Sequence, residues 1–141
     1  MIAFDANVFI YSMDDTEQRK HLPALDCLAA HAGDPDPPRL MWQVACETLA
    51  WMRRRQSQGE FTAEEVELTF HELVVTYPLV MPTSDLLEAS FDLRRQYSLF
   101  HWDSLLLAAC ITADVDTLYS EDMSHGMTYD SVTVINPFEG T

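Results

Sequence analysis

Apolar residues gather in short, strand-length runs: Ile2-Ala3-Phe4, Leu40-Met41-Trp42, Leu79-Val80-Met81, Thr117-Leu118-Tyr119 and Val132-Thr133-Val134-Ile135. Longer stretches of helical character separate them. This alternation constrains the fold more than any other feature. Strands joined through helices can run parallel, and a parallel sheet needs cover on both faces. The pattern therefore predicts an α/β chain, a three-layer α/β/α sandwich around a mostly parallel central sheet. A length of 141 residues with 48% hydrophobic content is enough to bury a core, so a single domain over 1–141 is expected.

The intervening helices can be bounded from local chemistry. One starts at about Asn7 and another runs from about Glu17 to His31, before Gly33-Asp34-Pro35-Asp36-Pro37-Pro38, which cannot continue a helix. The next spans Val44 to about Gln58, where Gly59 stops it. Thr62-Ala63-Glu64-Glu65 has the form of a capping box, in which a hydroxyl and a carboxylate satisfy exposed amides reciprocally, and its helix runs to about Thr76. Thr83 or Ser84 caps a helix ending near Tyr97, and Trp102 to Ala113 forms the last. There is no internal repeat or low-complexity tract.

No apolar run reaches the roughly 20 residues that cross a bilayer, so a cytoplasmic chain without a membrane anchor is expected. Cys27, Cys46 and Cys110 form no C-x-x-C pair and are expected as small core residues rather than disulfide or zinc ligands. Eight basic against twenty-three acidic residues give a formal charge of −15, which repels polyanions unless a metal or locally placed arginine offsets it. Arg53-Arg54-Arg55 and Arg94-Arg95 are the local concentrations of positive charge, and each also fits a solvated helix face. Trp42, Trp51 and Trp102 are expected in the core, and His101 and His125 in surface or structural roles.

In parallel sheets, ligands bind beyond the carboxyl ends of the strands. That rule selects Asp5, after the first run, and Asp122, just beyond Thr117-Leu118-Tyr119. Glu47 falls about one turn into the helix after the second strand, on the same face as Gln43, and Asp103 opens an otherwise apolar helix. Two like charges about 4 Å apart at an effective dielectric near 20 repel by roughly 4 kcal/mol, so clustered acids protonate or recruit a cation. Lys20, the only lysine, and the scattered arginines are not expected to compensate them. A hard divalent ion with oxygen ligands suits the set. Asn7 and Ser120 could orient ligands or a water. A purely structural account also exists, with Asp5 and Asp103 as helix caps, Asp122 and its neighbours in turns, and Glu47 solvated.

These residues resemble those of the PIN-domain family, and especially the VapC-type toxins of toxin–antitoxin pairs. The resemblance is carried by Asp5-Ala6-Asn7, the acid of Gln43-Val44-Ala45-Cys46-Glu47, Trp102-Asp103-Ser104-Leu105, Ser120-Glu121-Asp122 and the ending Val134-Ile135-Asn136-Pro137-Phe138. It spans nearly the whole chain. It implies a PIN-like sandwich, Mg²⁺- or Mn²⁺-dependent cleavage of RNA with Asp5, Glu47, Asp103 and Asp122 as catalytic metal ligands, a cognate antitoxin partner, and a homodimer. Either Glu121 or Asp122 could supply the fourth carboxylate; the S/T-x-D pattern with Ser120 favours Asp122.

Two other functions compete. A non-catalytic module of the same fold would act by binding a protein. An Asp-based phosphatase would use Asp5 as nucleophile, but it needs a second acid where Asn7 stands and a late lysine that the chain lacks. Nucleotide-binding glycine loops are absent from the sequence.

Overall fold

The computed structural model describes residues 1–140. The chain is mixed α/β. In order it forms β1 (Ile2–Phe4), α1 (Ala6–Met13), α2 (Gln18–Ala30), β2 (Leu40–Met41), α3 (Trp42–Ser57), α4 (Ala63–Thr76), β3 (Leu79–Val80), α5 (Asp85–Gln96), α6 (His101–Thr112), β4 (Thr117–Tyr119), β5 (Thr128–Tyr129) and β6 (Val132–Ile135).

β1, β4, β6 and β5 make one sheet in that order, and β2 pairs with β3 in a second. Every pairing is parallel except β5 with β6. A single parallel bridge between Ala3 and Arg39 joins the two sheets, with the Arg39 amide donating to the Ile2 carbonyl at 2.8 Å. The strands therefore follow one another as β3-β2-β1-β4-β6-β5. α5 packs on α6, α1 on both α2 and α3, and α3 on α4, while α6 also lies against β2 and β6.

Burial explains the strand composition. Ala3, Phe4, Leu40, Leu118, Val132 and Val134 are fully buried, as the central strands of a covered sheet must be. Phe4 is the hub of an aromatic cluster. Its ring centroid lies 5.7 Å from Phe9, 6.0 Å from Tyr77 and 5.6 Å from Tyr119. α6 runs through the interior with Leu106, Leu107, Ala108 and Cys110 buried.

Helix boundaries follow the local signals closely. Thr62 Oγ1 accepts from the Glu65 amide at 3.1 Å while Glu65 accepts from the Thr62 amide at 3.0 Å, so the capping box is formed. Gly59 follows α3 with φ +80°, a backbone region glycine enters without a Cβ clash. Ser84 sits at the start of α5 but its hydroxyl makes no cap; the first turn is held by backbone bonds to the Thr83 and Ser84 carbonyls.

Three local expectations need correction. Trp42 begins α3 instead of ending β2, because parallel pairing with β3 stops after Met41–Val80. Met81 for the same reason lies outside β3. The antiparallel strand β5 was not expected; it turns back on β6 through Asp130, whose φ of 56° a short polar side chain tolerates. No helix among the described residues is long and apolar enough to cross a membrane.

Candidate functional site

Asp5 leaves β1 and caps α1. Its backbone amide stays in the sheet, donating to the Tyr119 carbonyl at 2.8 Å. Its Oδ1 accepts from the Ala6 amide at 2.7 Å and its Oδ2 from Ser120 Oγ at 2.6 Å. The side chain is almost wholly buried, at 4% exposure. Burial pushes its carboxyl up to about 7. The Ser120 and Ala6 hydrogen bonds oppose that rise, and the charges of Asp122 and Glu47 add to it.

Ser120 follows β4 and is fully buried, with its amide donating to the Ile135 carbonyl at 3.0 Å. Its hydroxyl has a second task, accepting the Asp122 amide at 3.1 Å. One hydroxyl thus links the acid after β1 to the acid after β4. Asn7 Nδ2 donates to Asp122 Oδ2 at 3.3 Å, while Asn7 Oδ1 is buried without a hydrogen-bond partner. The Asp122 carboxyl is raised, first by desolvation and next by the charge of Glu121. Hydrogen bonding with Asp5 and Asn7 and the charge of Lys20 pull it back.

Asp103 is the third residue of α6 and is partly buried. It is not a cap: Phe100 occupies that position, and no hydrogen bond to the Asp103 carboxylate is found among the described residues. Desolvation raises its carboxyl, followed by the charges of Asp122 and Glu47. Glu47 is exposed in the second turn of α3. Gln43 Nε2 donates to Glu47 Oε1 at 2.9 Å and to the Trp102 carbonyl at 3.1 Å, so one amide orients the acid and ties α3 to the start of α6.

The four acids read from the sequence therefore come from four separate segments, and the charges of Asp122 and Glu47 are felt by both Asp5 and Asp103. Their donors are all oxygen, the chemistry a hard divalent cation takes. Among the described residues, however, no three His, Cys, Asp or Glu side chains are gathered tightly enough to hold a metal as they stand.

Glu121 is occupied elsewhere. Tyr11 Oη donates to its Oε1 at 2.8 Å and Lys20 Nζ to its Oε2 at 2.7 Å. It is Asp122 that contacts Asn7 and Ser120. Lys20 reaches the rim of the acidic group from α2 but pairs with Glu121 and with none of the four acids, so it leaves them uncompensated except for a minor lowering of Asp122. Lys20 and Tyr11 were missed as part of this region; the one available signal was that the only lysine of a strongly acidic chain needs an acidic partner.

Trp42 and Trp102 are not core residues, being 44% and 64% exposed. With Gln43, Cys46, Glu47, Met81 and Leu105 they line an apolar groove of about 530 Å³ that borders the acids. Trp51 is partly buried, edge-on to Phe61 and beneath the Arg55 guanidinium. Of the cysteines only Cys110 is buried; Cys27 is partly covered and Cys46 is exposed on the groove. His125 is structural, its Nδ1 accepting from the Asn136 amide at 3.0 Å, and His101 is exposed against Trp102.

Arg55 bridges Asp14 and Glu60, so it is neutralised within the fold. Arg94 and Arg95 are exposed at the end of α5, where residues 97–100 lead directly into the α6 turn bearing Asp103. Compared with known protein families and with curated proteins, the chain matches none.

Proposed function

We propose that this chain is a metal-dependent endoribonuclease with a PIN-like three-layer α/β/α architecture, acting in the cytoplasm as the toxin of a toxin–antitoxin pair. The observation that carries this reading is the convergence of the acids: one buried hydroxyl, Ser120 Oγ, holds both Asp5 and the Asp122 amide, and the charges of Asp122 and Glu47 both raise Asp5 and Asp103. Carboxyls raised by desolvation and by neighbouring acids are relieved when a cation binds among them. The order of these acids in the sequence is that of the PIN resemblance.

Asp5, Asp103, Asp122 and Glu47 would hold Mg²⁺ or Mn²⁺, which would supply an activated water and stabilise charge developing on the phosphate. The protein's part is to prepare and orient the oxygens. Asp103 offers a carboxylate free of competing hydrogen bonds. Asp5 is fixed in one rotamer by Ala6 and Ser120, and Asp122 is set by Ser120 and Asn7. Gln43 aims Glu47 from the groove side. Arg94, and Arg95 once a polyanion displaces its exposed partner Asp92 at 3.1 Å, give a polyanion its approach toward Asp103 despite the net charge.

Labelled RNA incubated with the purified chain and Mg²⁺ is expected to be cut, with EDTA abolishing cleavage. Asp103→Ala, which breaks no hydrogen bond seen in the fold, is expected to lower the rate by at least about 100-fold, the scale on which removal of one preorganised electrostatic group acts. A normally folded Asp103→Ala protein that cuts as fast as the parent would sink the assignment.

The exposed groove favours a protein partner as well. A second copy of the chain, covering Trp42, Met81 and Trp102, is the partner this reading places there, and the antitoxin is its regulator. Trp102→Glu is expected to convert a dimer to a monomer in sedimentation velocity; a parent protein that sediments as a monomer removes the homodimer from the proposal. If RNA survives with Mg²⁺ and the groove still binds protein, the non-catalytic binding module becomes the better account. The phosphatase reading weakens further, since the only lysine is committed to Glu121.

A further inference from the structure

We infer that Lys20 is a positioning residue: by holding Glu121 against α1 and α2, it sets the segment after β4 so that Asp122, and not its neighbour, faces Asp5. The inference rests on the metal-site reading above. Two adjacent acids leave β4, and only one can serve the site without the other repelling it. The charge of Glu121 is in fact the second-largest influence raising the Asp122 carboxyl.

The restraint on Glu121 is built from several elements. Lys20 Nζ and Tyr11 Oη each take one carboxylate oxygen, at 2.7 and 2.8 Å, and lie 3.3 Å from each other. The ammonium also sits over the Tyr11 ring, 4.9 Å from its centroid, and 5.9 Å from that of Phe138. The two rings meet edge to face at 5.2 Å. α1, α2, the exit of β4 and the segment after β6 therefore converge on one carboxylate. The ion pair is partly buried, with side-chain exposures of 33% and 19%, so it is screened less than a pair on the open surface.

On the neighbouring residue, the Asp122 amide rests on Ser120 Oγ and its carboxylate on Asn7. Loss of Lys20 leaves Tyr11 alone to hold a charged Glu121 next to Asp122. The segment then loosens and Asp122 leaves its seat. Lys20 makes no hydrogen bond or ion pair with Asp5 or Asp122, so besides its field at Asp122 it can act on the site only by holding Glu121.

Charge and position predict opposite signs, which makes the test sharp. If Lys20 contributed only its field, removing a positive charge would tighten cation binding. Positioning predicts weaker binding. Lys20→Met keeps an apolar stem over the two rings. Titration calorimetry of the full chain with Mn²⁺ is expected to show about tenfold weaker affinity for it, as for other outer-shell partners of metal ligands, with Lys20→Arg restoring the parent value. In EDTA, the Asp122 amide should exchange hydrogen faster in Lys20→Met, while the Leu118 and Val134 amides keep the parent rate.

Unchanged or tighter Mn²⁺ binding by Lys20→Met overturns the inference, even if exchange quickens, because the pair would then be holding the chain without positioning a ligand. Unchanged exchange at Asp122 overturns it as well. A parent protein that binds no Mn²⁺ sinks the metal-site reading instead, and the exchange comparison still decides whether Lys20 holds Asp122 in place.

Discussion

Asp5→Asn is expected to make the metal-free protein more stable at pH 8 while abolishing its metal-dependent cleavage. Asp5 is buried, and burial lifts its carboxyl from 3.8 to about 7. A group whose folded value is raised contributes fully to stability below its unfolded value. That contribution is lost as pH rises through the folded value. For Asp5 the loss runs from about pH 4 to pH 7 and amounts to about 4 kcal/mol at its upper limit, since each pH unit of displacement is worth about 1.4 kcal/mol.

Asparagine retains an oxygen to accept the Ala6 amide and carries no charge to desolvate. Its amide can donate to Ser120 Oγ, the hydroxyl that now donates to Asp5. Urea denaturation in EDTA should show the variant gaining about 2–4 kcal/mol over the parent at pH 8. The difference should vanish near pH 4. Millimolar Mg²⁺ should narrow the gap at pH 8 by stabilising the parent selectively, because a ligand that binds only the folded state adds to its stability. Equal stability of the two proteins at pH 8 without metal would show that the Asp5 carboxylate is not strained by its burial.

The second large effect concerns the residue before it. Phe4→Ala should cost about 3–5 kcal/mol, the usual range for deleting a buried aromatic ring. Native domains hold only about 5–15 kcal/mol in total, so much of the population would be unfolded at 37 °C. Phe4 is fully buried on β1 and touches rings from α1, the end of α4 and β4. Phe4→Leu should cost much less, because it refills most of the volume. Both changes can be read from the urea midpoint. If Phe4→Ala lowers stability by under about 1 kcal/mol, the cluster collapses freely around the gap and does not anchor Asp5.

Much of the architecture could be read from the chain because its signals are local. The capping box at Thr62 and Glu65, the stop at Gly59 and the apolar runs of β1, β4 and β6 each act over a few residues. Asp5 was legible because a polar residue follows directly on a buried strand. Asp103 was legible as an oddity in an apolar helix, though its lack of any capping role was not.

What escaped depends on distant partners. The contact of Lys20 with Glu121 joins residues 101 positions apart. No periodicity marks it. β5 has two residues in a polar stretch and exists only because β6 lies beside it. Trp42 and Trp102 look like core residues in sequence, since indoles are usually covered, yet no segment of the described chain closes over them. The joint between the two sheets, one bridge at Ala3 and Arg39, is equally invisible to pattern.

The sheet's two margins carry a further consequence. β3 and β5, the outermost strands, are each two residues long, and Pro78 and Pro82 flank β3. So short a rim offers another backbone almost no ladder to extend, and proline lacks the amide that a new strand would need. Folded copies of this chain are thereby hindered from joining edge to edge, strand on strand. When they meet, indole, thioether and guanidinium groups must choose the partner, so contact is governed by side-chain shape that substitution can tune.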